Sequence, residues 1–294
     1  MPHLGRVLTA MATPMHPDRT LDLGGARSLA SHLLEHGSDG VVIAGTTGES
    51  PTLAKDETLA LLAAVVDAVG DRGTVVAGCG GNDTAATADL VRRATATGVD
   101  GVMVVTPYYN RPSARGLDTH FRTVAGATHL PVILYDIPAR TACELPKETI
   151  VDLAATVENL VGVKDAVDDF VKTAWVTAHA PEDFTVWSGT DATTLQTLAA
   201  GGHGVISVSA HLAGRDVAAM VEGFAKDPGG SLAIAQRLAP LNAALFAEPN
   251  PGPLKAALGL LGLPGGAVRP PMVDADDATL ELLRDALAAA GVTA

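Results

Sequence analysis

Lys164 ends an unbroken apolar run, Leu160-Val161-Gly162-Val163, and is one of only six lysines in the chain. The other five, Lys55, Lys147, Lys172, Lys226 and Lys255, fall in loops or helix-like segments, where a solvated charge is the expectation. An ammonium at the end of a buried strand is costly to desolvate, which favours the neutral, nucleophilic amine. Such an amine attacks a keto carbonyl and forms an imine. The competing reading of Lys164 alone is a structural ion pair, with the adjacent Asp165 as the nearest candidate.

Other polar residues gather at matching places. The chain has three tyrosines, Tyr108, Tyr109 and Tyr135, and all follow or end Val- and Ile-rich runs. Phenol hydroxyls there relay protons or orient a substrate; the alternative is a set of amphipathic aromatics at a subunit contact. Gly45-Thr46-Thr47-Gly48-Glu49-Ser50 follows another such run, and a Gly/Thr turn of this kind lets backbone N–H groups converge on an anion. Taken alone it is also an ordinary turn. The run after the fifth such segment reads Tyr135-Asp136-Ile137-Pro138-Ala139-Arg140. The nine histidines show neither H-x-H nor H-E-x-x-H spacing, and only His211 falls near the C-terminal end of a strand-like run, so metal chemistry is the weaker reading.

These residues need a scaffold that brings strand ends together. Strand candidates are Val7–Thr13, Gly40–Ala44, Thr74–Gly78, Gly101–Thr106, Pro131–Ile137, Leu160–Lys164, Phe184–Ser188 and Gly204–Ser209, apolar throughout as in strands buried on both faces. Asp56–Val69, Ala85–Thr97, Leu145–Ala155 and Ala192–Ala200 lie between them with helical spacing. Asp83 or Thr84, and Asp191, stand where N-caps belong; Gly70 and Gly98 stand where helices stop. Strand and helix alternating at about 30 residues per unit predict parallel βαβ units and a (β/α)8 barrel, whose chemistry sits at the C-terminal strand ends. A doubly wound sheet is the alternative, weakened by the lack of G-x-G-x-x-G after the first strand. From about Gly223 the strand pattern stops, and Ser231–Phe246, Leu254–Leu261 and Ala275–Ala290 read as three helices between prolines. The expected division is a catalytic barrel over residues 1–224 and a helical extension over 225–294.

Bulk properties narrow the partners. With 47% hydrophobic and 18% charged residues the composition is that of a globular protein, and 3% aromatics leaves Ala, Val and Leu to build the core. A formal charge of −13 disfavours nucleic acid or an anionic membrane as partner. It also requires a few local donors to hold an anionic substrate. Cys79 and Cys143 make no disulfide framework. The N-terminus has no signal-like apolar region, and no run approaches membrane-spanning length. The expected location is cytoplasmic.

The chain resembles the dihydrodipicolinate synthase family of pyruvate-dependent class I aldolases. Gly45–Ser50, Thr106-Pro107-Tyr108-Tyr109-Asn110-Arg111-Pro112, Gly162-Val163-Lys164-Asp165, Gly201–Ser209 and Glu248-Pro249-Asn250-Pro251 match it in order and spacing over nearly the whole length. The resemblance implies that Lys164 forms the imine with pyruvate, whose carboxylate is held by backbone N–H groups at Thr46 and Thr47. It implies that Tyr135 passes protons, linked through Thr46 to Tyr109, which reaches over from an adjoining subunit. Arg140 would clamp the carboxylate of L-aspartate 4-semialdehyde, and Gly189 and Ile206 would line the pyruvate pocket. The enamine then attacks the aldehyde, and cyclisation releases 4-hydroxy-tetrahydrodipicolinate on the route to lysine. A homotetramer of two tight dimers, with no metal or organic cofactor, is implied as well.

Several positions depart from the family pattern. Asp136 replaces a common Asn, Asp165 a common Glu, Thr190 a frequent Asp, and His211-Leu212 a common Asn-Val pair. If the Asp136 side chain faces inward, it places a carboxylate beside the second substrate. Ser50, Asn82 and Tyr108 match a lysine-effector pocket, but Lys55, Thr58 and Ala86 replace the His, His and Glu of sensitive bacterial enzymes. Weak or absent lysine inhibition is therefore expected. Competing functions are a sister lyase acting on N-acetylneuraminate or a 2-keto-3-deoxy sugar acid, and a non-catalytic barrel that binds a small metabolite; a metal-dependent aldolase is a distant third.

Overall fold

The computed structural model describes residues 4–293. Eight parallel strands close a barrel in the order of the sequence: β1 (Val7–Ala10), β2 (Gly40–Ile43), β3 (Thr74–Gly78), β4 (Gly101–Val105), β5 (Val132–Asp136), β6 (Leu160–Asp165), β7 (Thr185–Ser188) and β8 (Gly204–Ser207). Closure is made by β1 on β8, with Leu8 opposite Ile206. Every expected strand is present, and the (β/α)8 barrel is the fold. Some strands stop short of the expected end. Past Ala10 the chain leaves the sheet, and Met15 bridges instead to Leu21 and Gly266.

Among the described residues, twelve helices surround and follow the barrel: α1 (Leu23–Glu35), α2 (Lys55–Val69), α3 (Thr84–Thr95), α4 (Ala114–Ala125), α5 (Pro138–Thr141), α6 (Lys147–Thr156), α7 (Phe170–His179), α8 (Thr194–Ala199), α9 (Ala210–Gly223), α10 (Pro228–Ala244), α11 (Gly252–Leu260) and α12 (Asp277–Ala290). Their starts follow from the sequence. Asp22, Asp83, Ser113, Asp227 and Asp276 each accept a first-turn amide N–H, which satisfies a donor that the helix itself leaves open. Asp191 does something else. A 3₁₀ turn over Asp191–Thr193 precedes α8, and the Asp191 carboxylate instead accepts the Ser207 hydroxyl, Val208 N–H at 2.8 Å and Ser209 N–H at 3.1 Å. It therefore ties the end of β7 to the end of β8.

Side chains separate into two layers. Leu8, Ala10, Val42, Val76, Met103, Ile133, Tyr135, Trp187 and Ile206 fill the barrel interior. A larger shell of Val, Leu and Ala packs strands against helices and runs on without a break into Leu238, Leu241, Leu254, Leu258 and Leu283 of α10–α12. The C-terminal helices thus bury their apolar faces against the same core as the barrel helices. No helix of the described residues is long and apolar enough to cross a membrane.

Candidate active site

Alternation along β5 and β6 decides which groups meet inside the barrel. Successive strand residues point to opposite faces, and paired residues of parallel neighbours share a face. The register sets Tyr135 beside Lys164 and Lys164 beside Trp187. All three turn inward and are buried, at 4%, 5% and 2% exposure. The Lys164 amine stands 4.5 Å from the centroid of the Tyr135 ring. Among the described residues no carboxylate reaches it: every recorded ion pair belongs to another cation. The Lys164–Asp165 ion pair is thereby excluded.

Asp165 and Asp136 occupy the next positions and face outward, under the helices. Asp165 accepts Val167 N–H at 2.9 Å and the Thr173 hydroxyl at 3.0 Å. Asp136 accepts Leu145 N–H at 3.1 Å and pairs with Lys172 at 2.8 Å. Burial pushes the Asp136 carboxyl up to about 6, the nearby Lys172 only partly opposing it. Asp136 therefore puts no carboxylate into the barrel mouth. Lys172, expected to be solvated, is 5% exposed and also contacts Glu144 at 2.9 Å. Burial alone would lower its ammonium, but Asp136 and Glu144 outweigh it and raise it. Lys255, likewise expected in solvent, is 4% exposed and pairs with Glu49.

Above the strands lies a cavity of about 300 Å³ lined by Thr46, Ser50, Tyr108, Arg140, Asn250 and Met272, among others. It gathers four of the sequence-derived site residues, from the loops after β2, β4 and β5. Arg140 is exposed and forms no ion pair among the described residues, so its fork is open to an anion. The amide N–H groups of Thr46 and Thr47 are likewise unclaimed by other protein groups there. Gly45–Ser50 holds its shape with Glu49 N–H to Thr46 at 3.1 Å and Ser50 N–H to Gly45 at 3.2 Å. Thr47 is buried, and its hydroxyl accepts Asn250 Nδ2 at 2.9 Å.

Gly189 follows the last residue of β7 and Ile206 lies in β8, at the same end of the barrel. A Cβ on Gly189 would come within 2.7 Å of Ala166 Cβ, so only glycine lets the β6 and β7 loops approach this closely. Other expected contacts are absent from the single chain. Tyr109 is 89% exposed with a left-handed backbone, φ 70°, and among the described residues its hydroxyl makes no hydrogen bond to a site residue. No hydrogen bond links Tyr135 to Thr46 among the described residues. Asn82 lies outside the cavity lining, and its carbonyl accepts Asn110 Nδ2 at 2.7 Å. His211 is buried between Val208 O at 2.8 Å and Ala12 N at 3.0 Å, which fixes a neutral tautomer protonated at Nδ1. Among the described residues no group of three or more His, Cys, Asp or Glu side chains is arranged to hold a metal.

Asn250 enters the sequence reading only as part of the Glu248-Pro249-Asn250-Pro251 motif. Its two flanking prolines were the one local signal that it occupies a fixed position.

Comparison with known proteins agrees with this geometry. A family model described as the dihydrodipicolinate synthetase family matches residues 3–290. A 4-hydroxy-tetrahydrodipicolinate synthase of Moorella thermoacetica is 51% identical over 289 residues, 98% of this chain and 99% of its own. One from Acidothermus cellulolyticus is 51% identical over 290 residues, 98% of this chain and 93% of its own. Among solved structures, a dihydrodipicolinate synthase of Cyanidioschyzon merolae with lysine bound superposes with a TM-score of 0.97 at 40% identity, covering 99% of each chain. With its barrel, its inward lysine and matches over nearly its full length, the chain belongs to the dihydrodipicolinate synthetase family.

Proposed function

We propose that this chain condenses pyruvate with L-aspartate 4-semialdehyde through an imine at Lys164 and releases 4-hydroxy-tetrahydrodipicolinate, a step in lysine biosynthesis. The observation that carries the reading is the Lys164 amine, buried, inward and free of any carboxylate, set 4.5 Å from the Tyr135 ring. The amine attacks the keto carbon, and Tyr135 is the adjacent acid–base group for the proton transfers of imine and enamine formation. The unclaimed Thr46 and Thr47 amides are donors for the pyruvate carboxylate. Arg140, across the same cavity, fits the carboxylate of the semialdehyde. Gly189 and Ile206 bound the pyruvate end.

Two groups of residues need a second reading. Tyr109, so exposed here, suits a role in a neighbouring copy's site, with Thr46 between it and Tyr135; a homotetramer of two tight dimers is the assembly in which we expect it to act. The chemistry belongs to the barrel of residues 1–224, and 225–294 form a helical extension. Two unpaired cysteines suit a cytoplasmic setting.

Ser50 and Tyr108 border the cavity and could bind an effector lysine together with Asn82. Against that, Ala86 offers no carboxylate to an effector's ammonium, and Lys55, paired with Asp89 at 3.3 Å, stands where a histidine is expected. Inhibition by lysine is therefore expected to be weak, and half-inhibition below millimolar lysine would overturn this part.

Borohydride reduction in the presence of pyruvate, followed by peptide mass analysis, tests the central claim. The expected adduct is on Lys164; no adduct, or one elsewhere, sinks it. Turnover with sugar acids but none with aspartate semialdehyde would keep the imine and replace the substrate.

A further inference from the structure

The loop that offers the Thr46 and Thr47 amides is held in part by residues from the far end of the chain, which supply its side-chain partners at Thr47 and Glu49. Its internal hydrogen bonds are the two at Glu49 and Ser50; Thr13 adds one to Gly48 O at 2.7 Å, and Thr52 and Leu53 cap Glu49 O and Ser50 O from the following turn. Glu49 has a Cβ yet adopts the left-handed backbone, φ 58°, which such residues avoid. Something outside the loop must hold it there. Its carboxylate, 3% exposed, sits between Lys255 Nζ at 2.5 Å and Arg269 N–H at 2.8 Å. Arg269 is fixed in turn by a fork on Glu57 at 2.8 and 2.6 Å and by Thr52 O at 2.8 Å. Asn250 adds the bond to the Thr47 hydroxyl, and Lys255 is completed by Ala267 O at 2.7 Å.

We propose that segment 248–272 sets the affinity of the barrel for the keto-acid carboxylate, with Asn250, Lys255 and Glu49 as positioning residues for the Thr46 and Thr47 amides. This rests on the reading that those amides bind the pyruvate carboxylate. Among the described residues no hydrogen bond or ion pair joins the segment to Lys164 or Tyr135. An amide pair aimed in advance loses little freedom when an anion arrives, whereas a loosened loop must be ordered by the ligand. That cost falls on binding of ground state and transition state alike, so it appears in KM and leaves kcat.

The test compares the unmodified enzyme with Asn250→Ala and with the double variant Glu49→Gln/Lys255→Met, which removes both charges together because either alone strands its partner. Arg27→Ala, at an exposed pair with Asp67, is the control. The expected result is a pyruvate KM raised about tenfold in Asn250→Ala and in the double variant, with kcat within about threefold and adduct formation on Lys164 complete at saturating pyruvate. Lowered melting temperatures with unchanged KM would mean a structural role only and overturn the proposal, as would a fall in kcat at unchanged KM. Asn250→Ala alone decides the matter if the double variant does not fold. An unmodified enzyme that traps no pyruvate would overturn the underlying reading along with the inference.

Discussion

Lys164 and Lys172 are each 5% exposed, yet they live on opposite faces of the same barrel wall. Lys172 sits on the outer face with Asp136 and Glu144 within 2.9 Å and has no room left for a substrate. Lys164, inside, has an aromatic ring and no carboxylate. Burial by itself is therefore no sign of function. A buried ammonium given two carboxylates stays charged and structural, whereas one denied any partner is available for chemistry. Alternation makes the contrast: Tyr135 and Lys164 point in, and Asp136 and Asp165, one position later, point out. A single-residue slip of β6 would exchange the two environments.

Removing Lys164 gives the largest expected effect. Lys164→Met should cut condensation by at least about a thousandfold and abolish the borohydride adduct. Thermal stability should hold or rise, since no carboxylate is left stranded. A variant that kept a tenth of the activity would end the claim that this amine is the nucleophile. Lys172→Met should behave in the opposite sense. It leaves Asp136 buried without its cation and should cost about 3–5 kcal/mol of stability. Adding Asp136→Asn should recover most of that, measured by denaturant unfolding. If Lys172→Met instead lost the adduct while staying fully stable, the two lysines would have been assigned the wrong way round.

How much of this was legible beforehand depends on what each residue's neighbours are. The strands were readable because apolar runs buried on both faces have few other homes, and their ends located Thr46, Tyr135, Lys164 and Arg140. Lys172 and Lys255 were misread as solvated because each owes its burial to partners far away in sequence: Asp136 for one, Glu49 for the other. No local pattern announces a partner of that kind. Asp191 looked like a helix cap because caps and strand-end ties use the same residue type; only the Ser207–Ser209 donors tell them apart. Tyr109 is 89% exposed, so no packing partner within its own chain marks it as part of a site.

His211 extends the comparison to a buried group kept neutral by burial, against the opposing pull of Val208 O and Asp191. Burial holds its imidazole down to about 4. The unfolded chain takes up a proton near pH 6.5, whereas the folded chain refuses it until about pH 4. Stability is thus complete above pH 6.5 and falls as pH drops toward 4, by about 2–3 kcal/mol. Protonation would also cost the Ala12 N–H its acceptor. His211→Asn should flatten that slope in unfolding measured from pH 7.5 to 4. An unchanged slope would assign the acid sensitivity to other groups.

The smallest effect belongs to a lysine in water. Lys55 and Asp89, at 3.3 Å, leave 46% and 51% of their side chains exposed, so solvent and salt screen the pair. Lys55→Ala should shift stability by no more than about 0.5 kcal/mol, and that shift should vanish in about 1 M salt. Lys172→Met should keep its full effect in the same salt, because a pair that water cannot reach is screened far less. If salt erased both differences equally, the Lys172 pair would be open to solvent, and its contrast with Lys164 would be one of exposure and no longer one of partners.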